Sequence, residues 1–470
     1  MKQPFSIATH IERFSSKGWG VGSFQKTPSS PVSKVVVPSA VPGDHLLVEV
    51  YSKKKGGYQG KCLEILHPSL DRQEPRCKHV GVCGGCVWQA MHYEKQLFYK
   101  EEVIRSSFQG LFEGNIEPIV LAEDPWRYRN KMEYTFSQNK EGHRFLGLMQ
   151  GGSKGRVEDL TECHLSPKWF LSVLEVVKSW WEESGLAAFH PLKNTGTLRT
   201  LTVREGRQTG HKMIVLTVSG SPAFAIAKTE INRFVSSIKE AFPQEEISLF
   251  LRVQQAVCGS PTQFYEMHLS GADHILEELK ISLDGYVKNY TLKISPTAFF
   301  QPNTLQAQRL YSKALAMTTR KSNKLVLDLY AGTATLGMIF APFAEKVISI
   351  EINPYAVFDA RSNQERNLVS NLEIMQGDVA EVLSSLQIFK ADLVIVDPPR
   401  TGLSEEALSL LVQTEPGEIL YISCAPATQA RDCLWLKQRG YEIVAICPVD
   451  QFPHTIHIEN IVLLRRSFSS

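Results

Sequence analysis

Residues 325–336 read LVLDLYAGTATL: an apolar run, an acidic residue, then small residues leading into a second apolar stretch. The same texture recurs downstream in KVISIE (346–351), NLEIMQG (371–377), ADLVIVD (391–397), EILYISC (418–424), YEIVAICPV (441–449) and IENIVLLRR (458–466). Helical spacing fills most of the intervals. Apolar strands alternating with helices specify an α/β fold, a mostly parallel, doubly wound sheet. The last two runs are joined by a short loop, which predicts an antiparallel pair at the sheet edge.

In such a sheet a ligand lies beyond the carboxyl ends of the strands. Those ends carry Asp328, Glu351, Asp378 and Asp397 in succession. A dinucleotide would want G-x-G-x-x-G, whereas this loop is GTATLG, with an acidic residue ahead of it. The set suits a cationic, phosphate-free ligand such as S-adenosylmethionine, with Glu351 placed for ribose hydroxyls. The fifth strand ends on Cys424, just before a predicted helix whose positive end would favour a thiolate. Most cysteines are small buried hydrophobes, and Cys433 and Cys447 are expected to be so. Glu459, in FPHTIHIE (452–459), is the second candidate; its plain alternative is an edge-strand carboxylate. A thiol and a carboxylate on one cleft can add to a ring and later remove a proton.

Working back, residues 110–285 read as mixed α+β, with strands at LTVREG and KMIVLTVSG and a helix over PKWFLSVLEVVKSWWEE. Residues 88–109 read as a helix, with Leu97, Val103, Ile104 and Phe108 on recurrent spacing. Ahead of it, three of the nine cysteines crowd into CKHVGVCGGC (77–86). Cys77, Cys83 and Cys86 lack a fourth thiolate, and Cys163 is the most plausible one. Spacing alone leaves an iron–sulfur cluster and structural zinc near even. Cys62 and Cys258 read as structural. Residues 1–67, with VVVPSAV, HLLVEVYS and GKCLEILH between turn residues, suggest a small β-barrel of the kind that binds single-stranded nucleic acid.

At ~100–200 residues per domain, a chain of 470 residues suggests two to four domains. Its 43% hydrophobic and 21% charged residues exclude wholesale disorder. No run of about 18 apolar residues is present to span a membrane. MKQPFSIATH does not read as a secretory signal, so a cytoplasmic protein is expected. Lys and Arg exceed Asp and Glu by six over residues 1–61 and by five over 126–156, and fall short by six over 325–397. A polyanion, with nucleic acid the obvious candidate, would be drawn to the first two stretches; a solvated loop at Lys53–Lys55 explains part of the first equally well.

Together these residues resemble the RNA (uracil-5-)-methyltransferase family, in its branch with an N-terminal TRAM domain and an iron–sulfur cluster. The resemblance rests on Ile11-Glu12 through Gly22, CKHVGVCGGC, SPTAFFQPN (295–303), DLYAGTATL (328–336), DPPR (397–400), SCAPAT (423–428) and FPHTIHIE. It implies a TRAM-like barrel over 1–67, an iron–sulfur loop and central RNA-binding domain over 68–290, and a class I, Rossmann-like methyltransferase domain over 291–470. It implies a 4Fe–4S cluster on Cys77, Cys83, Cys86 and Cys163, and S-adenosylmethionine held by Gln301, Tyr330, Thr335, Glu351, Asp378 and Asp397. Cys424 becomes the nucleophile and Glu459 the base. RNA is the implied partner, 23S rRNA being favoured over tRNA, with no obligate protein partner. Ala331 and Ala334 replace the cysteine and second glycine usual in the family's D-L-Y/F-C-G-x-G loop. DPPR sets the chain apart from amino-methylating enzymes, whose motif typically ends in an aromatic residue. A non-catalytic RNA-binding protein would need neither Cys424 nor Glu459, and nothing in the sequence suits the flavin or nicotinamide of a redox protein.

Overall fold

The computed structural model describes residues 4–467, apart from 55–56, 154, 256–261, 320–322 and 387–389; Cys258 lies outside the described residues. The N-terminal strands β1 (Phe5–Phe14), β2 (Gly20–Phe24), β3 (Ser33–Val37), β4 (His45–Lys54) and β5 (Gly57–His67) close into a barrel in the order β1-β2-β3-β5-β4. Alternate residues Leu46, Val48 and Val50 of β4 point inward onto Ile11, Phe24, Val35 and Val37. Closure leaves the barrel without free strand edges.

After the cysteine loop comes helix α1 (Tyr93–Ser107). It is shorter than the 88–109 expected, and its buried face is not the apolar stripe the sequence suggested. Gln96, Lys100 and Ile104 are buried, whereas Val103 is exposed. The central sheet holds β6 (Lys131–Gln138), β7 (Arg144–Met149), β8 (Val157–Asp159), β9 (Leu198–Glu205), β10 (Lys212–Ser219), β11 (Ile247–Gln255) and β12 (Gln263–Ser270), in the order β12-β11-β10-β9-β6-β7-β8. Helices α2 (Lys168–Ser184) and α3 (Lys228–Ala241) contribute to a core on one face of it. In α2, Phe170, Val173, Leu174, Val177, Trp180 and Trp181 fall on one helical stripe and are buried together. The helix stops at Gly185, whose φ of 66° is the left-handed conformation that favours glycine. Lys131 and Glu133 of β6 line a cavity instead of this core.

A hairpin of β13 (Ile275–Leu283) and β14 (Tyr286–Ile294) follows, then α4 (Thr304–Met317). The division expected at 290/291 therefore falls inside β14, and the hairpin's inner face shares a core with the C-terminal sheet through Leu279, Ile281, Tyr290 and Leu292. That sheet comprises β15 (Asn323–Leu329), β16 (Ala344–Glu351), β17 (Leu372–Gln376), β18 (Leu393–Val396), β19 (Glu418–Ser423), β20 (Tyr441–Val449) and β21 (Glu459–Arg466), in the order β17-β16-β15-β18-β19-β21-β20. Its helices are α5 (Thr335–Phe340), α6 (Pro354–Arg366), α7 (Val379–Leu386), α8 (Glu405–Gln413) and α9 (Pro426–Lys437). The first five strands run parallel, and β21 runs antiparallel to both β19 and β20. The expected antiparallel pair is present, with the last strand inserted inside the edge. Apolar cores cover both faces, as a doubly wound sheet requires. Among the described residues no helix is long and apolar enough to cross a membrane.

Candidate active site

Parallel pairing brings the carboxyl ends of β15, β16, β17, β18 and β19 to one edge of the sheet. The loop after β15 is held in left-handed backbone at Tyr330 (φ 62°), Gly332 (φ 56°) and Ala334 (φ 54°). Ala334 caps the start of α5 in this conformation and is buried. A glycine would occupy it freely, whereas alanine costs roughly 1–2 kcal/mol. Non-glycine strain of this kind gathers where a loop must take one shape for a ligand. Glu351 braces the loop: Oε2 accepts from Gly332 N at 2.8 Å and Oε1 from Asn353 N at 2.8 Å. Thr335 Oγ1 lies 3.1 Å from Thr333 Oγ1. Asp378 is exposed beyond β17, and its Oδ1 accepts from Ala380 N at the start of α7. Asp328 behaves differently from its expected place at the ligand face. It is buried beneath the loop, where Oδ2 accepts from Ser349 Oγ (2.8 Å) and Gly337 N (3.0 Å).

The chemistry-bearing residues converge from three strand ends. Cys424 follows β19, Asp397 and Arg400 follow β18, and Glu459 opens β21 at 4% exposure. Arg400 lies beside the Cys424 thiol, and its Nη2 lies 3.3 Å from His457 Nδ1. Burial pushes the Cys424 thiol above its usual value; the nearby Glu459 and Asp397 carboxyls add to this, and Arg400 opposes it. The start of α9 thus does not by itself yield a thiolate: desolvation and two acidic neighbours outweigh it. Burial also raises Glu459 well above the carboxylate range, with Asp397 reinforcing and Arg400 opposing. Asp397 is pushed up to about 7, by burial first and by Asp328 second. Burial, then Arg400, lowers His457 to about 4, so its ring is neutral at pH 7. Gln301, on the loop before α4, is buried, with Oε1 accepting from Gln451 Nε2 at 3.4 Å. Two carboxyls raised by burial beside a guanidinium and a thiol are the kind of perturbed cluster that gathers at functional sites.

Cys77, Cys83, Cys86 and Cys163 all line one cavity of about 900 Å³. The cysteine loop is sewn to the end of β7: Gly84 N donates to Met149 O at 3.0 Å and Gly151 N to Val82 O at 2.8 Å. A Cβ on Gly84 would stand 2.9 Å from Met149 O, so only glycine permits this approach. His79 fixes the loop further, with Nδ1 3.0 Å from Glu158 Oε1 and Nε2 accepting from Thr161 N at 3.3 Å. Burial raises the Cys77 thiol to about 11 and also raises Cys83 and Cys86, and neighbouring thiols of the set reinforce each rise. Among the described residues, no three His, Cys, Asp or Glu side chains form a group that could hold one metal ion. The four cysteines lining this cavity are an all-sulfur donor set, the ligand chemistry that iron–sulfur groups take.

The same cavity is lined by Arg129, Lys131, Phe299, Phe300 and residues 455–457. Phe299 is 70% exposed. Sequence reading gave no role to Arg400, His457, Phe299 or Lys100. The polar spacing of HTIHIE and the arginine of DPPR were the available signals for the first two. A buried lysine carries no such signal.

The family described as tRNA (Uracil-5-)-methyltransferase matches residues 266–467. An RNA methyltransferase of Protochlamydia amoebophila is 42% identical over 437 residues, covering 91% of this chain and 99% of its own length. An RNA methyltransferase of Chlamydia trachomatis is 35% identical, covering 83% of this chain and 98% of its own. Among solved structures, the tRNA (uracil-54, C5)-methyltransferase of Pyrococcus abyssi, in complex with S-adenosyl-L-homocysteine, is similar at a TM-score of 0.73 and 25% identity, covering 97% of this chain and 99% of that one. With relatives 42% and 35% identical over most of its length, the chain belongs to the RNA methyltransferases, and its residues 266–467 match the tRNA (Uracil-5-)-methyltransferase family.

Proposed function

We propose that this protein methylates C5 of a uridine in RNA, with S-adenosylmethionine as methyl donor and Cys424 as covalent nucleophile. The observation that carries this reading is the meeting of Cys424, Arg400, Asp397 and Glu459 from three strand ends. Uracil C5 is a poor nucleophile. Addition of the Cys424 thiolate to C6 would turn C5 into an enolate-like carbon, which attacks the methyl group of S-adenosylmethionine; the methyl–sulfur bond breaks and S-adenosylhomocysteine leaves. Glu459 then takes the C5 proton, the C6–S bond breaks, and the thiolate leaves. The target base must leave its stack to reach the pair, at a cost of a few kcal/mol.

S-adenosylmethionine supplies an electrophilic methyl and a positive charge, which suits the acidic strand ends. Gln301, Tyr330, Thr335, Glu351, Asp378 and Asp397 would hold it, Glu351 through ribose hydroxyls. Cys77, Cys83, Cys86 and Cys163 would hold a 4Fe–4S cluster; their raised thiols need a bound cation to ionise. The barrel would act as a TRAM domain that grips RNA, in the cytoplasm. We favour 23S rRNA as substrate, on the cysteine set. The tRNA reading is supported by the names of the matched family and of the Pyrococcus abyssi enzyme. Mass mapping of nucleosides from cells with and without the gene decides. Loss of 5-methyluridine from 23S rRNA is expected; loss from tRNA alone selects the second reading; loss from neither overturns both.

The raised Cys424 thiol sets a pH dependence. The nucleophile is the thiolate, whose fraction grows as pH rises toward a thiol value above the usual one. Trapping of RNA carrying 5-fluorouridine at the target, under single-turnover conditions, should therefore accelerate by about tenfold per pH unit below that value. A rate flat from pH 6.5 to 8.5 would show that the thiol is already ionised.

A further inference from the structure

Residues 450–457 lie in the connection from β20 to β21, which opens on Glu459. Their shape is set from outside. Lys100 of α1 donates from Nζ to Asp450 Oδ1 at 2.5 Å and to Phe452 O at 3.0 Å. Tyr93 OH donates to Asp450 Oδ2 at 2.7 Å. Gln96 Oε1 accepts from His454 N at 2.8 Å, Trp88 N donates to His454 O at 3.1 Å, and Tyr128 OH donates to Pro453 O at 3.0 Å. Trp126 stacks on the His454 ring at 3.9 Å. His454 itself is held at φ 65°, a left-handed conformation unfavourable for histidine. Three successive carbonyls and one strained residue are thus fixed by partners outside the segment.

The side chains of Lys100 and Asp450 are both 0% exposed. A buried ion pair is weak grounds for stability, because desolvation of both charges offsets their attraction and an apolar pair often serves as well. What an apolar pair cannot do is donate to Phe452 O or accept from Tyr93. We infer that Lys100 and Asp450 are positioning residues: Lys100, reaching from α1, which follows the cysteine loop, holds the 450–457 segment through Asp450 and Phe452 O so that Glu459 reaches the C5 proton of the Cys424 adduct. The inference rests on the roles proposed for Cys424 and Glu459. It predicts a split between steps: adduct formation belongs to Cys424 and Arg400 and should survive loss of the pair, whereas proton removal should not.

The test uses the full-length, metal-loaded enzyme carrying Lys100→Met with Asp450→Leu, and separately Tyr93→Phe, which removes one hydrogen bond to Asp450. For the double variant we expect trapping of 5-fluorouridine RNA within about twofold of the wild type. Its turnover on ordinary RNA should fall by at least about tenfold, with a methylated, denaturation-resistant RNA adduct accumulating. Tyr93→Phe should show the same split on a smaller scale, and it decides the matter if the double variant does not fold. Wild-type turnover, or trapping and turnover that fall in proportion, overturns the inference. Absence of trapping by the wild type instead overturns the Cys424 reading, and the inference with it.

Discussion

Replacing Cys424 with alanine is expected to abolish methylation, by a factor on the order of 10⁴ or more, while leaving binding of RNA and S-adenosylmethionine in place. The substitution removes neither the basic stretches nor the acidic strand ends; it removes only the thiol proposed to activate C5. Glu459→Gln should fail at a different point. Addition and methyl transfer proceed, but the C5 proton stays and elimination stalls, so a methylated RNA–protein adduct should survive denaturing electrophoresis. RNA with 5-fluorouridine at the target should trap the wild type likewise, because fluorine does not leave as a proton does. Retained turnover in Cys424→Ala, or a fluorouridine adduct formed by it, would assign the nucleophile to another residue. The glutamine also removes a carboxyl that raises the Cys424 thiol. The first step should therefore be no slower in Glu459→Gln, which separates its defect from that of the cysteine variant.

The second large effect is expected at the sulfur cavity. Protein purified without oxygen should be brown and carry about four irons and matching sulfide per chain. Cys86→Ala should lose that iron. Because metal binding to such a set is also folding free energy, the variant should melt earlier and expose the loop between the barrel and the central sheet to proteolysis. His79 and Gly84 tie that loop to residues 149–161, so the damage should extend to the end of β7. Stoichiometric zinc without iron in the anaerobic sample would remove the 4Fe–4S reading while leaving the methylation chemistry standing.

The sequence by itself determined the C-terminal sheet, because seven apolar runs punctuated by acidic or small residues admit few other folds. It marked the strand ends, and with them Glu351, Asp378, Asp397 and Cys424, because period and topology place those positions at one edge whatever the side chains do. It marked the cysteine loop, because three thiols in ten residues are rare. What it could not determine was direction and environment. Asp328 reads like the other strand-end acids, yet it turns inward onto Ser349 and Gly337, a choice made by packing across two strands. The thiol beside a helix start reads as acidic, yet burial next to Glu459 raises it. Helix α1 reads as amphipathic through Val103, yet it buries Lys100, because the charge that satisfies this lysine lies 350 residues away at Asp450. A pattern in the chain reports local period; only the tertiary structure decides which distant group makes a buried charge tolerable, and here that pairing ties the segment ahead of β21 to α1.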